Sequence, residues 1–433
     1  MRVRAILPMS SVASSGIGLF AVAWLATHRL SPSELGFFLS FLSFGALVQL
    51  ADFGLSYATL VTAGRMTGTG QGNEIQALGA FVTRWNMLAS CGSVVVVGAI
   101  GVATFRGAAP TPGVAPTMWT GPWLAFLLGV LAAQWGVPGI SLREGGGKVT
   151  PMWRLRLVLE TAGALACLIA LYLGAGLWSL AAYSFTRALV IGTWLRILDP
   201  LRQVPGVPRF SISRWLKESW PFQWKIGLSA LSGFLIFRAF SPIILYVKGP
   251  VPAGQFGLSV AMMNLLIAIT GAWPISQTAR YTSLLAERRF REFDAELPVI
   301  LLRSTALSIA GTATLLWLLW LARGFGFVFA ERLTDPATTA VILSCAVVHH
   351  VVSCVAVFLR AEGRDPLVIP SVVGGVATVG VVWLTASAGT LMGVATAYLA
   401  LASLGIPIAA LIYRARARGR RRLELIEPKG GRS

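Results

Sequence analysis

Apolar residues run through this chain in blocks of about twenty, the length a helix needs to cross a hydrocarbon layer of roughly 30 Å. Read block by block, the pattern predicts about twelve spans. Six lie in the first half, at 7–28, 36–60, 81–105, 119–142, 150–173 and 176–198. Six more follow, at 221–246, 254–275, 297–321, 338–360, 367–387 and 390–413. Several contain Gly or Pro, which membrane helices tolerate. No stretch shows the roughly ten-residue alternation of a membrane barrel strand. The apolar run 7–25 behind Arg2 and Arg4 is long enough to span and ends without a clear cleavage site. It reads as a first helix rather than a removable signal peptide.

Composition agrees with the pattern. The chain of 433 residues is 55% hydrophobic and 12% charged, about half the charged share of a soluble protein, and its mean hydropathy is +0.73. The 36 Lys and Arg outnumber the 17 Asp and Glu. In a soluble chain that excess points to nucleic acid. Here it follows the rule that basic residues collect in loops retained in the cytoplasm. With the N-terminus inside, 29 basic residues fall on the cytoplasmic side. Five fall outside (Arg29, Arg106, Lys248, Arg323, Arg332), and Arg187 and Arg238 remain at membrane depth. Both termini are therefore expected in the cytoplasm. The tail from Arg414 is expected to meet anionic lipid rather than nucleic acid. Cys91, Cys167, Cys345 and Cys354 all sit in apolar stretches and read as small buried hydrophobes.

The two halves repeat. Ser31-Pro32-Ser33-Glu34-Leu35-Gly36 and Val251-Pro252-Ala253-Gly254-Gln255-Phe256-Gly257 are both Pro-to-Gly turns that start a helix. Arg143-Glu144-Gly145 matches Arg360-Ala361-Glu362-Gly363, and Gly174-Ala175-Gly176 matches Ala388-Gly389 and its neighbours, each about half a chain away. Six helices per half make corresponding helices point the same way, a parallel repeat that encloses a cavity between two lobes in transporters. The expected divisions are an N-terminal six-helix lobe at 1–200, a cytoplasmic linker at 201–218, a C-terminal six-helix lobe at 219–413 and a basic tail at 414–433.

Leu30 to Gly36, the helix ending near Asp52-Phe53-Gly54-Leu55, the Gly257 segment and the Gly174-Ala175-Gly176-Leu177-Trp178 turn together carry a resemblance. The chain resembles the polysaccharide-exporter, or O-antigen flippase, branch of the multidrug, oligosaccharidyl-lipid and polysaccharide (MOP) exporter superfamily. The resemblance spans most of the chain, and its diagnostic part is the first 65 residues. It implies an all-α integral membrane protein of two pseudo-symmetric six-helix bundles, a MATE-like flippase fold. It also implies a non-enzymatic activity. Such proteins move a lipid-linked saccharide, such as an undecaprenyl-pyrophosphate oligosaccharide, from the inner to the outer leaflet of the bacterial cytoplasmic membrane by alternating access. Polysaccharide polymerase and assembly proteins are the implied partners, with H⁺ or Na⁺ as a coupling ion and no cofactor. Two other readings remain open: a cation-coupled multidrug exporter of the same superfamily, and a membrane glycosyltransferase or polymerase acting on the same carrier. The short external loops oppose the latter.

Ionisable groups at membrane depth are costly and mark candidate sites. Arg187 is near mid-span, Arg238 lies towards the outer side, and Arg84, Lys225 and Arg303 lie nearer inner ends. With Arg65 they form a candidate basic path for a pyrophosphate, which arginine recognises through paired donors. For Arg84, Lys225 and Arg303, snorkelling to the interface is the competing reading. Glu160 shares a helical hairpin with Arg187, as an ion-pair partner or as a protonatable coupling group. Asp52, with Arg65 behind it, resembles the family's N-terminal polar patch and is a gating candidate. Gln134 and Asn264 are candidates for sugar hydroxyls or for links between helices. Cys345, His349, His350 and Cys354 form two i, i+4 pairs about 140° apart around a helix, too far round to close on one metal ion. No metal is expected. The two histidines are read as hydrogen-bonded between helices or as proton sensors.

Overall fold

The structure is a computed structural model. It describes residues 18, 20–70, 72–108, 115–198, 210–362 and 365–426, with side chains at 72–73, 198, 279 and 421–426 left aside. Every regular element among the described residues is helical. After a helical segment at 20–29, the first half comprises α1 (Pro32–Gln49), α2 (Leu55–Gly68), α3 (Gly72–Gly107), α4 (Pro116–Gln134), α5 (Val137–Gly145), α6 (Val149–Tyr172) and α7 (Trp178–Thr193). A π turn at Trp194–Leu198 follows. Then come α8 (Ile212–Glu218), α9 (Trp220–Phe237), α10 (Phe240–Lys248), α11 (Pro250–Ser276), α12 (Thr278–Ala286) and α13 (Phe290–Gly324). The chain ends in α14 (Val328–Glu331), α15 (Pro336–Ala361), α16 (Val368–Ala388), α17 (Leu391–Ser403) and α18 (Gly405–Ile426).

Helix starts are specified locally. Ser31 and Glu34 form a reciprocal capping box at α1, with Pro32 at the first turn. Asp335 caps α15 by accepting from the Thr338 N–H at 3.0 Å, again with a proline next. The repeat emerges in the boundaries. The stretches Pro32–Gly68 and Pro250–Ala286 are each 37 residues long, and the helices after them have 36 and 35 residues.

Nine helices among the described residues are long and apolar enough to cross a membrane, or ten if the bent pair α9–α10 is one span. The sequence predicts about twelve. Two differences account for the gap. The 7–28 span lies largely outside the described residues, and α7 has 16 residues before its backbone loosens into the π turn. At the C-terminus, α18 runs without interruption across the boundary expected at 413/414. The linker expected at 201–218 is described only from residue 210, where α8 begins soon after.

The chain divides into two compact units, Met1–Gly257 and Leu258–Ser433. The first is centred on aromatic rings. Phe37, Phe41 and Phe44 from α1 meet Phe105 from α3 and Trp119, Trp123 and Phe126 from α4, with Phe41 and Trp123 centroids 4.9 Å apart. In lipid such packing, rather than escape from water, holds helices together. Helices α9 and α10 belong to this unit: Gly54 at the start of α2 abuts the Gln223 and Gly227 backbone of α9. The second unit packs Tyr281, Phe293 and Phe358, with Tyr281 and Phe358 centroids 4.2 Å apart. Beside them Arg420, only 6% exposed, pairs with Asp294 at 2.5 Å and with Glu362. Arg420 is therefore turned inward, although the sequence counts it in a lipid-facing tail.

Candidate functional site

The first unit contains a cavity of about 620 Å³. Its polar lining comes largely from two packed helices. On α6, Arg156 and Glu160 stand one turn apart, and on α7, Tyr183 and Arg187 do the same. An i, i+4 spacing puts each pair on one helix face. Gln49, Ser56 and Gln134 add polar groups from the neighbouring elements.

The ionic groups are arranged in sequence. Arg187 donates through Nη2 to Glu160 Oε1 at 2.9 Å. The Tyr183 hydroxyl accepts from Arg187 Nη1 at 3.1 Å and donates to Glu160 Oε2 at 3.3 Å, closing a triad. The Arg187 guanidinium also lies 5.2 Å from the Tyr183 ring centroid. One turn along α6, Arg156 donates to Glu144 Oε2 at 2.8 Å. The Nε atoms of Arg156 and Arg187 are buried without a hydrogen-bond partner among the described residues.

Arg238 completes the lining from a different element. It sits at the break between α9 and α10, where the helix axis turns by 44°. Its backbone N–H still bonds Phe234 at 2.8 Å, but its side chain is exposed at the cavity. No ion pair or hydrogen bond engages its guanidinium among the described residues. The lining therefore carries three guanidiniums and one carboxylate. Two guanidiniums have carboxylate partners, leaving a positive excess at Arg238.

The other candidates lie elsewhere. Arg65 on α2, Arg84 on α3 and Lys225 on α9 are exposed and do not line the cavity. Lys225 lies 5.7 Å from the Trp224 ring centroid, a contact suited to an interface. Arg303 is exposed on α13 of the second unit. Asp52 is occupied as a cap: its carboxylate accepts from the Gly54 N–H at 3.1 Å and the Ser56 N–H at 3.2 Å. It thereby fixes a break at which Phe53 and Gly54 both adopt positive φ. Gln134 is tied between helices, donating to the Gln49 carbonyl at 3.4 Å while its own carbonyl accepts from Asn86 at 2.7 Å.

In the second unit, His349 Nε2 lies 2.7 Å from the Tyr398 hydroxyl. His350 Nε2 lies 3.3 Å from Cys354 Sγ, which contacts Ser304. Among the described residues no three His, Cys, Asp or Glu side chains converge as a metal site. Sequence reading missed Arg156 and Tyr183. The available signal was their position one turn before Glu160 and Arg187.

No protein-family model and no curated protein matches the sequence. Solved structures match throughout its length. A multidrug resistance MATE family transporter of the MOP superfamily, in an inward-facing conformation, superposes with TM-score 0.72 at 14% identity, covering 96% of this chain and 99% of that one. An outward-facing MATE family transporter gives 0.62 at 14% identity, with 97% and 96% covered. A MOP superfamily transporter from Pyrococcus furiosus, described as having a binding pocket of reverse polarity that suggests a different function, gives 0.60 at 13% identity, with 97% and 96% covered. The chain thus has the fold of MATE and other MOP superfamily transporters.

Proposed function

We propose that the protein is a flippase that carries a lipid-linked, undecaprenyl-pyrophosphate oligosaccharide or polysaccharide repeat unit across the bacterial cytoplasmic membrane. The observation that carries this reading is the cavity's charge, three arginines against one glutamate, with no counter-ion for Arg238 among the described residues. A diphosphate suits such a lining because guanidinium offers paired donors to phosphate oxygens. A void of about 620 Å³ lies within the roughly 300–1,000 Å³ of known ligand pockets. In this reading the head group enters from the cytoplasm and engages Arg238. It then competes with Glu160 for Arg187, while the lipid tail stays in the bilayer. Alternating access releases the head group outward, driven by an ion gradient or the membrane potential. The cargo would serve cell-surface polysaccharide assembly.

A cation-coupled multidrug exporter is the second reading, favoured by the multidrug names of structural neighbours. Repulsion from the arginine lining opposes a cationic cargo. Flipping of a fluorescent undecaprenyl-pyrophosphate oligosaccharide in proteoliposomes tests the first reading, comparing wild type with Arg187→Ala and Arg238→Ala. Wild-type flipping lost in both folded variants supports it. Efflux of a cationic dye without movement of any lipid-linked sugar overturns it in favour of the second.

A further inference from the structure

A second concavity, of about 570 Å³, lies between α3 and α4 of the first unit. Gly98, Ala99 and Ala103 leave a trough along α3. Val94, Val95, Leu124 and Leu128 flank it, and Leu127 approaches a Cβ position at Gly98 to 3.3 Å. The trough is open to the surroundings, with Val95 70%, Leu128 57% and Leu124 52% exposed. Its lining is apolar except at one end, where Arg106 is exposed and has no ion pair or hydrogen bond among the described residues.

We propose that this trough binds one acyl chain of an anionic phospholipid whose phosphodiester is held by Arg106. The dimensions support that occupant. Val94 and Arg106 are twelve residues apart, about 18 Å along a helix. One leaflet contributes about half of a roughly 30 Å hydrocarbon core. A chain lying in the trough therefore reaches from the level of Arg106 to near the midplane. The charge supports it too, because a lone guanidinium at the trough's end complements a phosphodiester. A basic residue near the surface favours anionic lipid about fivefold. The inference is independent of the cargo of the cavity that Arg238 lines.

The test reconstitutes the full chain in phosphatidylcholine vesicles with a trace of diazirine-bearing phosphatidylglycerol or phosphatidylcholine, then maps photo-adducts by mass spectrometry. Phosphatidylglycerol adducts are expected to concentrate at 94–103 and 124–128, about fivefold above phosphatidylcholine. Arg106→Gln should remove the head-group preference. Ala99→Leu, at an exposed position, should fill the trough and lower adducts of both lipids. Millimolar inorganic phosphate should not compete. Adducts spread evenly over other exposed apolar positions such as Leu302 and Ile369 would overturn the site, as would a preference retained in Arg106→Gln. Crosslinks joining two copies through these peptides would also overturn it and assign the trough to self-association.

Discussion

Gly36 and Pro250 meet backbone to backbone: a Cβ at Gly36 would lie 1.9 Å from the Pro250 carbonyl oxygen. Gly36 closes the Ser31–Gly36 segment of the first repeat and Pro250 directly precedes the matching Val251–Gly257 segment of the second, and within the first unit one packs directly on the other. Gly36→Ala therefore cannot be absorbed by a rotamer change and must spread α1 from the α10–α11 junction. The expected cost is about 1–3 kcal/mol, read as a lower apparent melting temperature in detergent together with impaired transport. Gly374→Ala on α16 meets nothing within 4 Å and serves as the control. It should be neutral or stabilising by up to about 1 kcal/mol through helix propensity.

Asp52 tests whether a half-buried carboxylate gates transport or caps a helix. Losing its two backbone bonds in Asp52→Ala should cost about 0.5–2 kcal/mol. Asp52→Asn retains an acceptor oxygen and should keep most stability and transport. Transport abolished in a stable Asp52→Asn protein would show that its charge is required.

Glu160 and Arg187 form a pair whose side chains are 31% and 22% exposed. Removing either alone should destabilise more than removing both, because each single change strands a charge. A double-mutant cycle on thermal stability is expected to return a coupling of about 0.5–3 kcal/mol. Under the flippase reading proposed above, Arg238→Ala, which breaks no such pair, should lose transport of the anionic head group with little change in stability. Equal transport in Arg238→Ala and wild type would remove Arg238 from the substrate path.

Arg420 joins α18 to Asp294 on α13 and to Glu362 after α15, and its guanidinium lies 5.0 Å from the Phe293 ring centroid. The Tyr413 hydroxyl donates to the same Asp294 at 2.9 Å. Arg420→Ala leaves two carboxylates without their cation and should cost about 3 kcal/mol. Faster hydrogen exchange confined to α18 and the start of α13 is the expected signature. Arg418→Ala, at an exposed position, should leave exchange unchanged.

Much of the architecture is legible in the sequence because turns and caps are local. The Ser31–Gly36 and Val251–Gly257 turns give the repeat, and Pro32, Pro116 and Pro336 mark helix starts. Depth along a helix is legible too, which is why Arg187, Glu160 and Arg238 stand out. The facing direction is harder. A helix between protein and lipid is apolar on both sides, so the periodicity that orients a soluble helix is faint. Arg84 and Lys225, read as nearer the inner ends of their spans, stay in the candidate basic path beside Arg187 for that reason. Arg420 is the reverse case: amid a run of arginines, composition cannot show which one turns inward. Nor does any Gly or Pro at Arg238 itself announce the break between α9 and α10.

The position of Arg238 has a mechanical meaning. It caps α9 at the crease before α10, so a change in the 44° bend moves its guanidinium relative to α10. The converse holds as well. An anion bound more tightly at one bend angle than another biases the crease by that difference in affinity. Cargo and hinge would then act on each other through a single residue, with no relay of side chains between them.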